Sequence, residues 1–366
     1  MMRILLLGEY SNVHNTLAKG LRQLGHEVTV ASNGDFWKDY PRDQNLARRK
    51  GKLGGLALMA KVATLLPRWR GYDVVQLINP MFLELKAERI FPIYHYLRCH
   101  NRHIVLCAMG MDHYWVKECI ERTPLRYSDF NIGDNLRTDE CAMRERLDWL
   151  DTPKAKLNIE IANDCDAIVT GLYEYDVCYR PNFPQKTTFI PYPIIPVTPT
   201  TPSTSISPIT IFIGISRGRS AYKGTDIMLR AAQIVKEKYP DRLELTVAEG
   251  LPFNEYQQKM NSSDVIMDQL YAYTPAMNAL LAMSKGIVVI GGGEPENYEI
   301  LGEKELRPII NVQPNYESVC EQLEQLVLHP ERLPLLKQQS TEYVKKHHDY
   351  LKVARQYESL YKNLNP

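Results

Sequence analysis

Long apolar runs are what this sequence most plainly lacks. None reaches the roughly 18 residues that a membrane-spanning helix requires, so no spanning helix is expected. The opening MMRILLLGEY carries one arginine and a short apolar run. That run is too brief for a secretory h-region and reads as a buried first strand, which makes a cytoplasmic location the expectation. An excess of one charge is missing as well: 44 lysines and arginines face 43 aspartates and glutamates, for a net charge of +1. Such a balance argues against a nucleic-acid partner and against an acidic tail. No C-x-x-C pair occurs. The 7 cysteines (Cys99, Cys107, Cys119, Cys141, Cys165, Cys178 and Cys320) are odd in number and scattered. They suit reduced thiols packed as small hydrophobes, not a disulfide frame or a zinc site. No cluster of acids or histidines has metal-ligand spacing, and no metal is expected.

What is present is a repeated grammar. The 366 residues exceed one typical core and suggest two domains at roughly 100–200 residues each. In the first half, RILLLG, EVTVAS, DVVQLIN, HIVLCAMG, DAIVTG and TTFIPYPI alternate with helical runs such as HNTLAKGLRQLG, where Leu17, Leu21 and Leu24 share a face. The strands are apolar on both faces, the pattern of parallel strands covered by helices on two sides. PVTPTTPSTSISP, residues 196–208, has no apolar period and reads as a linker. The second half restarts with ITIFIGIS, RLELTVAEG, SSDVIMD, GIVVIGGG and RPIINV, with helices expected from Thr225 and from Thr274-Pro275. The expected fold class is α/β, two doubly wound Rossmann-like domains facing a cleft. Residues 1–195 form the first, 196–208 the linker, 209–345 the second, and 346–366 a last helix crossing back to the first. In such sheets ligands lie at the carboxyl ends of the strands.

Candidate chemistry gathers at those ends. GISRGRSAYKGTD, from Gly214, places Arg217, Arg219 and Lys223 between a strand and a helix, a setting suited to a diphosphate; the plain alternative is a solvated basic loop. Thr274 is read as a helix start at the same sheet edge. Gly291, Gly292 and Gly293 end the next strand there, and bare backbone permits close approach by a ligand or simply a tight turn.

These residues carry a family resemblance. GISRGRSAYKGTDIMLRAAQIV and SSDVIMDQLYAYTPAMNALLAMSKGIVVIGGGEPE resemble the donor domain of GT-B glycosyltransferases of the retaining family four. The likeness is strong over residues 214–296 and weaker before. It implies an enzyme, hexosyltransferase-like and metal-independent, of the kind used in polysaccharide biosynthesis. Such an enzyme moves a sugar with retention from a nucleotide-diphosphate sugar to a hydroxyl of a glycan or lipid-linked acceptor. The nucleotide sugar is a co-substrate, and no cofactor is implied. Arg217 and Lys223 match the donor-phosphate pair in spacing, and Glu296 matches the glutamate after Gly-Gly-x-Pro. The family's two further glutamates would fall at Tyr273 and Leu281, where tyrosine and leucine stand instead. Asp268, Glu294, Glu296 and Glu299 are nearby acids able to substitute in part.

In the first half, Gly8 to His14 joins the first strand to its helix at the cleft edge, where Gly8 is read as a donor contact and Asn12 and His14 as contacts to the acceptor or the donor phosphates. Asp112 and His113 follow another strand and could orient the acceptor hydroxyl or the sugar. A helix cap is the plain alternative for Asp112, and a packed histidine for His113. Residues 114–161 read as an expanded acceptor-side region. The Asp-x-Asp at Asp164 to Asp166 precedes a strand instead of ending one, which sets its carboxylates at the wrong edge for a metal. Residues 46–70 combine many cations with apolar residues and Trp69. That segment reads as a peripheral contact with the inner membrane face or as an ordinary helix with a basic rim. Two rival functions share the fold: a catalytically degenerate protein that only binds a nucleotide sugar or a partner, and a nucleotide-sugar epimerase.

Overall fold

The computed structural model describes residues 1–197, 208–216 and 218–364. The chain divides into two compact units, each built on its own parallel sheet. The first comprises Met1–Arg122, Glu145–Pro193 and Tyr350–Pro366; the second comprises Thr123–Arg144 and Ile194–Asp349.

The first unit's sheet has 7 strands, in the order Gln44–Asn45, Glu27–Ser32, Arg3–Leu7, Val74–Leu77, His103–Ala108, Ala167–Thr170, Thr187–Phe189. All neighbours run parallel. Every residue of the strands Val74–Leu77, His103–Ala108 and Ala167–Thr170 is buried, as the doubly apolar sequence requires. Alternation along the strands sends side chains to two layers. Leu5, Leu7, Val75, Leu77, Ile104 and Leu106 share a core with Leu58, Trp69, Ile90, Tyr94 and Ile161 from the surrounding helices. On the opposite face, Gln76 bonds to Tyr361 of the last helix, whose hydroxyl donates at 2.6 Å.

That last helix, Tyr350–Lys362, is part of the first unit although it follows the whole of the second. It packs on the helix Val13–Gln23 with Val353, Ala354, Tyr357 and Tyr361 buried. Gly20 makes the approach close: a Cβ there would lie 2.6 Å from Ala354 Cβ and 2.8 Å from the Tyr350 carbonyl oxygen. The Tyr350 hydroxyl donates to Gln23 at 3.0 Å, and His26 Nε2 lies 3.0 Å from Glu358.

The second unit has a parallel sheet of 5 strands, in the order Leu243–Glu249, Ile209–Ile215, Val265–Met267, Val288–Gly291, Ile310–Asn311. A small antiparallel pair, Asn131–Ile132 with Asn135–Leu136, belongs to the added segment.

Several expectations need correction. Residues 123–144 do not group with the first domain but with the second, because their polar side chains find partners there. The linker expected over 196–208 falls largely outside the described residues, as does the donor-phosphate candidate Arg217. The helix Thr225–Lys238 is capped by left-handed Gly224, not by Thr225. The helix expected to start at Thr274-Pro275 begins at Met277, with Ala276 at the cap position. The membrane-surface reading of residues 46–70 loses its aromatic anchor: Trp69 is fully buried and donates Nε1 to Gln44 at 2.8 Å. Leu58, Val62 and Leu65 are buried beside it, and of the leucines in this stretch Leu53 and Leu56 stay exposed. No helix among the described residues is long and apolar enough to cross a membrane.

The close helix pair gives a direct test. Gly20→Leu forces a side chain into Ala354 and the Tyr350 backbone, and overpacking of this kind costs about 3 kcal/mol. A lower urea midpoint is expected for the variant. An unchanged midpoint would mean that the last helix does not depend on this contact.

Candidate functional site

The carboxyl edge of the second unit's sheet holds most of the candidates. After the strand Ile209–Ile215 the chain turns into one short helix, Ser220–Lys223. Its end is docked on the neighbouring strand's exit: the Leu270 N–H donates to the Lys223 carbonyl at 3.0 Å. Gly224 allows this, with φ of 71° and Leu270 Cβ only 2.5 Å from where its own Cβ would be. The Lys223 charge acts on Asp268, which follows the strand Val265–Met267. Burial raises the Asp268 carboxyl, and Lys223 and the Asn278 amide offset part of that rise. Asn278 Nδ2 donates to Asp268 at 3.1 Å, and its Oδ1 accepts from the Tyr256 hydroxyl at 3.3 Å. Arg219 lies over the Tyr222 ring at 5.3 Å.

The glycines take a different meaning from the one their sequence suggests. A Cβ on Gly214 would meet the Tyr256 ring at 2.7 Å. One on Gly292 would meet the Ala272 carbonyl oxygen at 2.3 Å, and one on Gly293 the Ile309 side chain at 2.8 Å. Gly291 has the Gln269 carbonyl oxygen at 3.2 Å. Their bareness therefore serves close packing within the unit. The donors of this turn are engaged too: the Gly293 N–H bonds to Asn311 at 3.0 Å and the Glu294 N–H to the Tyr273 carbonyl at 3.1 Å. Thr274 is buried ahead of its helix and does not cap it. Beside the turn lies a cavity of about 380 Å³ lined by Gly293, Pro295, Tyr298, Glu299, Arg307 and Asn311.

Glu294 and Glu296 are the centre of a network that the sequence did not reveal. The Glu294 side chain is only 5% exposed. It accepts from the Tyr127 hydroxyl at 2.6 Å, Gln313 at 2.8 Å, Asn311 at 3.0 Å and Arg126 Nη2 at 2.7 Å. Burial pushes its carboxyl up, but these bonds and the Arg126 charge outweigh burial and hold it below the ordinary value. Glu296 pairs with the same guanidinium. The Tyr273 hydroxyl accepts from the Arg126 N–H at 2.7 Å, and its ring lies 4.7 Å from the Tyr127 ring. Further along the segment, Arg137 donates to the carbonyls of Ala221 at 2.8 Å and Tyr222 at 3.1 Å. It also lies 3.9 Å over Tyr271, while Cys141 Sγ reaches the Gly218 carbonyl at 2.9 Å. Arg126, Tyr127 and Arg137 carry no local motif. Their partners are far away in sequence, so periodicity gave no signal.

In the first unit, the strand-end loops are closed by their own acids. Gly8, with φ of 83°, leaves room for Ile78, whose Cγ2 would sit 2.3 Å from a Cβ. Glu9 is buried and takes the N–H groups of His14 at 3.2 Å and Asn15 at 2.8 Å, filling the start of the helix Val13–Gln23. Asn12 is left-handed and accepts from the Asn15 amide at 2.7 Å. His14 is fully buried between the Gly8 carbonyl at 2.8 Å and Gln76 at 3.1 Å. Both side chains are engaged within the first unit, Asn12 by Asn15 and His14 by Gly8 and Gln76. Asp112 caps the helix His113–Glu121 through the Trp115 N–H at 2.8 Å and accepts the Tyr179 hydroxyl at 2.7 Å. It is fully buried, which raises its carboxyl to about 6, and it serves as the helix cap. The His113 N–H bonds to Asn158 at 2.9 Å, and its Nδ1 faces the Trp149 carbonyl at 3.0 Å. Nδ1 therefore donates to that carbonyl.

No protein-family model and no curated protein matches the chain. Solved structures do. HepE from Anabaena, in complex with UDP and glucose, is similar with a TM-score of 0.61 at 13% identity, covering 100% of both chains. Sucrose-phosphate synthase from Thermosynechococcus elongatus gives 0.60 at 13%, over 99% of each chain. A putative UDP-N-acetylglucosamine 2-epimerase from Listeria monocytogenes gives 0.56 at 10%, over 98% of this chain and 95% of that one. With two parallel sheets as described, the likeness establishes the α/β GT-B fold with two doubly wound Rossmann-like units.

The buried pair at the first loop predicts a pH response. Burial raises Glu9 from 4.5 to about 8 despite its two main-chain donors. A raised carboxyl contributes its stability below about 4.5 and loses it as pH climbs through about 8. Buried His14 is lowered from 6.5 to about 4, so its contribution holds above about 6.5 and is lost as pH falls through about 4. Glu9→Gln removes only the first effect. Its thermal midpoint should gain on that of the unsubstituted protein as pH rises from about 5 to about 8. A constant difference across that range would show that Glu9 is ionised in the folded state.

Proposed function

We propose that the chain is a glycosyltransferase that moves a sugar from a nucleotide-diphosphate sugar to a hydroxyl of a glycan or lipid-linked acceptor, with retention. The observation that carries this reading is the position of Lys223, beside Asp268 at the carboxyl exits of two adjacent parallel strands, with Arg219 on the same loop. In doubly wound sheets this edge is where ligands lie. Cations fixed there stabilise the charge that develops on a diphosphate leaving group, usually the largest catalytic contribution. Lysine and arginine supply that charge, so the proposed chemistry needs no metal, and the nucleotide sugar is a co-substrate with no separate cofactor. HepE, which shares the fold, was crystallised with UDP-glucose and with UDP. Glu294 and Glu296 belong to the sugar end of the proposed donor site, and His113 keeps its proposed role of orienting the acceptor hydroxyl or the sugar. The proposed location remains cytoplasmic, and contact with the inner membrane face would fall to the exposed Leu53 and Leu56.

A second reading has one observation in its favour. Tyr273 is buried and Leu281 packs against a hydrophobic cluster where the resembled family has glutamates, and Glu294 is already saturated. A degenerate binder of nucleotide sugars would tolerate that; the Listeria neighbour keeps an epimerase among the enzymatic options.

Lys223→Ala should weaken binding of UDP, ADP or GDP, whichever the protein takes, and lower turnover of the matching sugar nucleotide by about 100-fold. Calorimetry showing the same nucleotide affinity before and after the substitution would refute the assignment. Binding without any turnover in the unsubstituted protein would favour the degenerate reading.

A further inference from the structure

The segment Thr123–Arg144 is fixed to the second unit by two clamps of different character. The Arg137 clamp is buried: its side chain is 8% exposed, holds two carbonyls of the helix Ser220–Lys223 and lies against Tyr271. The Tyr222 hydroxyl bonds back to Asp129 at 2.7 Å. The Arg126 clamp is open: its side chain is 54% exposed, while Glu294 beneath it is 5% exposed and Glu296 is 19% exposed.

An ionised carboxylate offers about four acceptor positions. Glu294 has four donors on it, from Tyr127, Asn311, Gln313 and Arg126. It has no position left for a sugar hydroxyl while Arg126 is in place. Glu296 meets the same guanidinium through both of its oxygens. Tyr273, standing where the resembled family has an acid, supplies the surface on which Arg126 and Tyr127 rest.

We propose that Arg126 is a latch over the sugar end of the donor site: it occupies the hydrogen-bonding capacity of Glu294 and Glu296, and a nucleotide sugar must release it before these acids can read the sugar. The inference rests on the donor reading above. Release is local. Tyr127, Asn311 and Gln313 keep Glu294 partnered when Arg126 swings out, and the Arg137 clamp holds the rest of the segment. Arg126 is half exposed and Glu294 keeps three neutral donors without it, so the pair is open to exchange for sugar hydroxyls, and a site occupied by its own latch binds with an apparent affinity reduced by the closed fraction.

The test compares two ligand classes. Affinities of UDP, ADP and GDP and of their glucose conjugates are measured by calorimetry for the unsubstituted protein, Arg126→Ala and Arg126→Lys. The lysine variant keeps a positive charge over Glu294 in case the alanine variant is unstable, and thermal unfolding checks both. The latch predicts that Arg126→Ala binds the sugar nucleotide on the order of fivefold tighter, with Arg126→Lys between, and that nucleotide affinity is unchanged. Unchanged or weaker sugar-nucleotide binding, with nucleotide binding intact, overturns the latch and leaves the donor reading standing. Absence of binding by every nucleotide in all three proteins overturns both.

Discussion

A buried carboxylate must be partnered, and in the second unit that constraint falls on Glu294. Its exposure is 4%, so an unpaired charge there would cost several kcal/mol. The fold meets the demand with Asn311 and Gln313 from the next strand and its exit, and with Tyr127 and Arg126 from a segment far earlier in the chain. Much of the local arrangement depends on this one group. Tyr273 is buried because the segment rests on it. Glu296 is drawn to the same guanidinium. The Gly-Gly-Gly turn packs tightly beside it, and the Gly293 N–H bonds to Asn311, which also donates to Glu294.

The first unit answers the same constraint with shorter connections. Glu9 takes main-chain N–H groups at the start of the helix Val13–Gln23, and Asp112 does so at the start of His113–Glu121. A helix start favours an anion through its free donors and its dipole. Here the group that takes those donors is one of the protein's own carboxyls. The main-chain donors at these strand ends are thereby taken up by side chains of the same loops.

Much of the fold was legible. The runs RILLL, EVTVAS, HIVLCA and ITIFIGI are strands where the sequence put them, because apolar residues on both faces suit a sheet covered twice, and LELTVAE is a strand at the sheet's edge, with exposed positions. The apolar face of the last helix was readable in part: of Val353, Tyr357, Leu360 and Leu364, which share a face in the sequence, Val353 and Tyr357 are buried, and Ala354 and Tyr361 complete the buried face. The site was less legible. Gly214, Gly292 and Gly293 are bare for Tyr256, Ala272 and Ile309, and nothing in a glycine's identity says whether a ligand or a side chain fills the space. The helix starts at Gly224 and Ala276 also differed from those the sequence suggested, since Thr225 and Thr274 both resemble caps.

The sequence by itself determined the class of fold, the order of strands along the chain and the place of a cationic loop at a strand end. These follow from periodicity and turn chemistry, which act over a few residues. Tertiary structure decided which unit residues 123–144 join, what Glu294 binds and why tyrosine stands at position 273. The bond from Tyr127 to Glu294 spans 167 residues and that from Arg126 to Glu296 spans 170. No local preference encodes such a pairing. It exists because folding brings a buried acid and a segment with the right donors to one sheet edge, where leaving either unpaired is costly.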